Sequence, residues 1–316
     1  MPAYVLAIER LAELSIDVAE SASTLQLPSR AFEVSSIARM EESLMAAAGI
    51  TDEDLTCMAS VREMLDTYTR SATEHIRAAA VLMSSGEPDI PVLSMAALSR
   101  ISSEASNVAF WLCDPDISWS DRLKRCNQLQ YKMLDDALQG SQSFSKYCPT
   151  PAIVVEIEAF REYRDRVLNW AKQRNWSQEG RPPSRKGWLR AIRFTQLMRE
   201  LAESSGAGPD FGQILYSSGS GTVHSNPILV ERALFGFAPE VARYAAAIKV
   251  KQALRCHCLL MERVEKWTGW LVDTRWFNEV EDIYWLLFNQ LPPDVRQEYE
   301  QRLSAIVRFA QSRGDM

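Results

Sequence analysis

Apolar residues recur at every third or fourth position along nearly the whole chain, and alternation at period two is almost absent, so the pattern predicts an all-helical protein. A first helix is expected over residues 3 to 24. A second should start after Pro28-Ser29, with Ser29 as its cap, and run to Gly49. Thr51 is placed to cap a long third helix ending near Ser85, because Asp52, Glu53 and Asp54 fall in its first turn, where the N-terminal dipole favours carboxylates. Gly86-Glu-Pro-Asp-Ile-Pro91 breaks the chain, and a fourth helix follows over 92 to 113.

Asp114-Pro115-Asp116 should end that helix. Ser118 or Ser120 opens a fifth, to about 139, and Thr150-Pro151 supplies a cap and a first-turn proline for a sixth that ends near Arg174. A seventh is expected over 187 to 204. Gly and Pro interrupt the stretch from 206 to 227, and two or three long helices follow Pro239. The expected architecture is a single all-α domain over 1-316, a multi-helix bundle of about ten helices. Residues 1-235 form the central bundle, and 236-316 an aromatic-rich C-terminal part that packs on it or forms a dimer seam.

The fourth helix is apolar or small nearly all round and should therefore be central. Against that background Arg100, Glu104, Asn107 and Trp111 fall at i, i+4, i+7 and i+11, one polar stripe, beside a ridge of Ser99, Ser103 and Ser106 that would let another helix approach closely. The stripe reads either as a salt bridge completed by Asn107 or as the lining of a pocket. The third and fourth helices are joined by a short break and should pack antiparallel. That places His75 opposite the region of Arg100 and Glu104. His224, in a donor-rich loop after Tyr216, joins them as a fourth candidate member of one buried polar cluster.

With 316 residues, 47% hydrophobic and 24% charged, the chain can bury a sizeable core. Its net charge of -6 opposes binding to phosphate backbones. The one basic segment, 172 to 193, interleaves Lys172, Arg174, Arg181, Arg185, Lys186, Arg190 and Arg193 with Trp176 and Trp188. It reads as an interhelical loop in preference to a nucleic-acid track. The six cysteines are scattered, which fits reduced thiols in a cytoplasm, and no apolar run reaches 18 residues, so neither secretion nor a membrane span is expected.

Metal and cofactor chemistry finds no pattern. None of the three histidines has a Glu three residues before it, and Gly-rich nucleotide loops and nucleophile elbows are absent from the sequence. Cys256-His257-Cys258 could bind a soft metal, but neighbouring residues on a helix point about 100° apart, so the three cannot converge on one ion without help. Asp135-Asp136 lacks the further acids that a diphosphate-binding magnesium site needs. No metal and no cofactor is expected. Arg70-Ser-Ala-Thr-Glu-His75 matches the Arg-x4-6-His pattern of the HEPN ribonucleases. On a continuous helix, however, five residues turn through 500°, which leaves Arg70 solvated and His75 at the edge of the apolar face.

The string Arg100-x3-Glu104, then Phe110-Trp111-Leu112-Cys113-Asp114-Pro115-Asp116 and Arg122, then Arg181-Pro-Pro-Ser184 leading to Tyr216-x2-Gly-x3-Val223-His224, resembles a family of uncharacterised all-helical actinobacterial proteins over residues 70 to 230. In that family Arg-x3-Glu, Trp-Trp-Leu-Leu-Asp-Pro, Arg-Pro-Ser and Tyr-x-Leu-Ser-x3-His follow in the same order. This chain has Ser217-Ser-Gly where the family has Leu-Ser. The resemblance extends at most distantly to HEPN and abortive-infection bundles.

The functional expectation is a binding or interaction protein, a homo-oligomer through the aromatic C-terminal part, with an inter-helix pocket for a small molecule or peptide lined by His75, Arg100, Glu104, Asn107 and His224. A HEPN-like metal-independent ribonuclease is the alternative, and a tailoring enzyme using the same pocket is the third reading.

Overall fold

The structure, a computed structural model, describes residues 3–23, 31–84, 92–176, 183–184, 187–188, 194–204 and 239–271, with positions 276, 278–280, 282–283, 293, 296–297 and 301. Among these residues there is no strand. Eight helices follow one another: α1 (Ala3–Ser23), α2 (Ile37–Ala47), α3 (Asp52–Ser84), α4 (Val92–Leu112), α5 (Trp119–Ser145), α6 (Pro151–Gln173), α7 (Phe194–Ser204) and α8 (Pro239–Thr268). The all-α expectation holds, and so do most of the local start signals. Thr51 and Asp54 form a reciprocal capping box at α3, the Asp54 amide donating to Thr51 Oγ1 at 3.3 Å and the Thr51 amide to Asp54 Oδ2 at 2.9 Å. Ser118 caps α5 through the Asp121 amide, and Thr150 caps α6 through the Ile153 amide with Pro151 in the first turn.

Two boundaries differ from expectation. Residues 31 to 36 are not helical; the cap of α2 is Ser36, whose Oγ accepts from the Arg39 amide at 3.1 Å, and not Ser29. The cause is tertiary. Phe32 packs its ring 5.2 Å from Trp267 and 5.9 Å from Trp270, the Trp270 indole donates to the Ala31 carbonyl, and the Glu33 amide donates to the Thr268 carbonyl, so the backbone there is already committed. Gly269, at φ +72°, turns the chain out of α8 at this junction, and a Cβ on it would lie 2.8 Å from Glu33 Cβ. The second difference is α5, which runs through Gly140 to Ser145, since one glycine costs a helix only about 1 kcal/mol.

The chain divides into two compact units, interleaved in sequence. The first takes residues 1–39, 64–115 and 194–316. Its core joins Leu11, Leu14 and Val18 of α1, Ile76, Ala80 and Met83 of α3, Met95 of α4 and Val250 and Leu254 of α8. α4 is central to it, with buried residues all round the helix, and packs most extensively on α8 and then on α7. Ser102 Oγ donates to the Ala72 carbonyl at 3.0 Å, which joins points about equally far from the break at 85–91 and so makes α3 and α4 the expected antiparallel pair.

The second unit takes residues 40–63 and 116–193 and is built on the α5 and α6 hairpin. Its interior is unusually ionic. Arg122, fully buried, donates from Nε and Nη2 to Glu41 at 3.0 Å each; Arg164 Nη1 donates to Asp135 Oδ1 at 2.9 Å; and Arg174 pairs with the buried Asp54. Asn127 donates to the Val167 carbonyl at 2.9 Å and accepts from the Trp188 indole at 2.6 Å.

Candidate functional site

On α4 the sequence places the polar stripe and the serine ridge about 100° apart, and each finds a different neighbour. The ridge faces α8: Ser103 is hydrogen-bonded to the Cys256 thiol and donates its hydroxyl to the Ser99 carbonyl at 2.8 Å. The stripe begins with an i, i+4 ion pair, Arg100 Nε donating to Glu104 Oε1 at 2.7 Å, whose side chains remain 12% and 27% exposed. One turn further on, Asn107 is buried against α7, where its Nδ2 meets the Met198 sulfur. Polarity thus runs from a partly open charged pair into the interior of the first unit.

Three polar groups along this quarter-turn of α4 are buried without a hydrogen-bond partner: the hydroxyls of Ser99 and Ser106 and Oδ1 of Asn107. A buried polar atom left unpaired costs about 1–3 kcal/mol, so three in one helix need a reason. The groups can accept from N–H donors, and the two hydroxyls can also donate. The thiol beside them is no nucleophile at neutral pH, because burial pushes Cys256 up to about 12 despite its hydrogen bond with Ser103, which draws it back.

The other candidates fall as follows. His75 is half-buried on α3, its Nδ1 2.6 Å from the Ser71 carbonyl of its own helix, which makes that nitrogen the protonated one. Arg70, on the same unbroken helix, is 67% exposed at its side chain and paired with Asp66 at 2.7 Å. His224 and Tyr216 lie outside the described residues. In the basic segment Trp188 is wholly buried and Trp176 packs edge-on against Trp170, so both indoles are core residues of the second unit, not stacking platforms. Of the C-terminal aromatics, Trp267 and Trp270 are buried against Phe32, Trp276 is half-buried, and Phe277, Tyr284, Trp285 and Phe288 lie outside the described residues.

No group of three or more metal-binding side chains occurs among the described residues, and no helix there is long and apolar enough to cross a membrane. Sequence reasoning weighed His257 only as a metal ligand and missed its burial. It is completely buried on α8 with neither ring nitrogen hydrogen-bonded, and burial alone lowers its pKa to about 4, so the ring is neutral. The signal was its place in the apolar series Val250, Ala253, His257, Leu260 and Val264. No family model, curated protein or solved structure matches the chain.

Proposed function

We propose that the protein is a binding protein for a small polar molecule or a short peptide, held along the quarter-turn of α4 that lies between its α7-facing and α8-facing stripes. The reading is carried by the unpaired, buried polar atoms of Ser99, Ser106 and Asn107 beside the partly open pair of Arg100 and Glu104. A ligand presenting amide or amine N–H groups would satisfy Asn107 Oδ1 and the two hydroxyls, and its charged ends would meet Arg100 and Glu104. Nothing in this arrangement calls for a nucleophile or a general base, which favours binding over turnover.

The test is native mass spectrometry of freshly purified wild type and Asn107→Leu. Leucine nearly conserves the volume and removes the unpaired oxygen, so the variant should unfold at the same urea concentration as wild type or a higher one. The expected result is a bound small molecule on wild type that is missing from the variant. A bare 35.8 kDa chain in both samples, with the variant at least as stable, would make the unpaired atoms a packing defect and end the proposal.

A further inference from the structure

Fourteen large hydrophobic side chains are exposed among the described residues, and four of them, Phe144 (57%), Tyr147 (88%), Val154 (56%) and Val155 (69%), crowd into twelve residues at the tip of the α5 and α6 hairpin. Cys148, Pro149, Pro151 and Ala152, between them, are exposed as well. The tip is not loose chain. The Tyr147 and Cys148 amides donate to the Phe144 carbonyl at 2.9 and 3.0 Å, and Thr150 caps α6, so the apolar groups are held outward by an ordered backbone. Apolar patches of about 300–600 Å² on a monomer are often functional.

The charge pattern says what fits there. One residue in four of the chain is charged, but within 144–155 the only charge is Lys146, and Glu156 closes the stretch. An acidic or a basic partner would find almost no field to recognise, and one lysine is far short of the cluster of about 4–8 that holds a protein to an anionic membrane. A second copy of this chain fits. Two molecules of net charge -6 approach at least cost through uncharged surface, and a two-fold contact of this tip with itself would set Lys146 of each copy beside Glu156 of the other.

We propose that the tip of the α5 and α6 hairpin is a self-association surface that pairs two copies of the chain about a two-fold axis, with Tyr147, Val154 and Val155 buried at its centre and Cys148 close to the axis. This surface is separate from the α4 site and stands without it.

The experiment is sedimentation velocity at about 50 μM, a concentration that reveals contacts of micromolar strength. Wild type should sediment as a dimer, and Tyr147→Glu and Val155→Glu, both at exposed positions and so with unchanged urea midpoints, should weaken association by about tenfold or more. Lys146→Glu should weaken it too, and Lys146→Glu combined with Glu156→Lys should restore it. A short bismaleimide should join two wild-type chains, and none of Cys148→Ser, since the other five cysteines are buried. A monomer at this concentration overturns the proposal, as does a dimer that Tyr147→Glu leaves intact. So would flotation of monomeric wild type with phosphatidylcholine vesicles, lost in Tyr147→Glu, which would make the tip a membrane contact.

Discussion

Arg263 and Phe110 meet twice: the guanidinium lies 3.5 Å from the centre of the ring, and Nη1 donates to the Phe110 carbonyl at 3.2 Å. The two residues are 153 positions apart, the same offset that separates Ser103 from Cys256. Two contacts at one offset mean that α4 and α8 run parallel, although three of the described helices lie between them in sequence. Parallel helices place their negative C-terminal ends together, and Arg263 offsets this by occupying one of the last carbonyls of α4 and by pairing with Asp114 at 3.5 Å.

Removing that clamp should therefore cost more than a surface arginine would. Arg263→Met keeps the stem that packs on Phe110 but loses the charge-assisted hydrogen bond and the cation–π contact, and should destabilise by about 2 kcal/mol. Arg263→Lys should recover only part of the loss, because an ammonium cannot cover the ring and reach the carbonyl in one plane. Urea unfolding of the three proteins checks both statements; equal midpoints for wild type and Arg263→Met would refute the first.

The second unit makes a sharper forecast. Arg122 is 0% exposed and Glu41, on α2, is the carboxylate it holds by two hydrogen bonds, so Glu41→Ala removes the counter-charge of a buried cation and should destabilise by about 3–5 kcal/mol. Replacing both, as Glu41→Leu with Arg122→Met, should bring most of that stability back, since two buried charges also forfeit their hydration. A double mutant as unstable as Glu41→Ala would show that the pair is needed for more than mutual neutralisation.

How much of this could be read beforehand follows the range of the interactions. The caps at Thr51, Ser118 and Thr150 act over three residues, and the sequence displays them directly. The i, i+4 pair of Arg100 and Glu104 is equally local. The start of α2 was misjudged because Phe32 answers to Trp267 and Trp270, some 235 residues away, and no window along the chain contains both. The pairing of Glu41 with Arg122, and the parallel docking of α8 on α4, are non-local in the same way. Asn107 was picked out by its stripe, but its partner Met198 lies on α7, and the unpaired state of its oxygen is a property of the packed helices alone.

Thiol chemistry separates the cysteines cleanly. Cys57 and Cys126 lie against each other between α3 and α5, and their mutual hydrogen bond and burial raise the Cys57 thiol well above its usual range; Cys256 is raised by burial. Cys148 alone is exposed. On a chain diluted until it is monomeric, an aromatic disulfide reagent at pH 8 should react rapidly with one thiol per native chain, and with six after denaturation. Cys148→Ser should abolish the rapid reaction, and a second fast thiol in the variant would contradict the burial of the rest.

His257 sets the acid limb of stability. Its folded pKa is about 4 because the charged ring would have to sit, unpaired, inside the apolar core, whereas in the unfolded chain it titrates near its ordinary value of 6.5. Between these two values the unfolded state binds more protons than the folded state, so stability rises with pH across this window and is flat above it. Read downward, stability is lost from pH 6.5 to pH 4, by about 3 kcal/mol from this one residue at 1.4 kcal/mol for each pKa unit. His257→Leu removes the titrating group and fills the same space. It should be as stable as wild type or more so at pH 7, since an imidazole without a hydrogen bond is replaced by apolar atoms. Urea midpoints measured for both proteins at intervals from pH 4.5 to 7.5 should then diverge as the pH falls, with wild type dropping faster. Parallel curves would mean that the ring is solvated or paired in solution and that its burial does not govern the acid response.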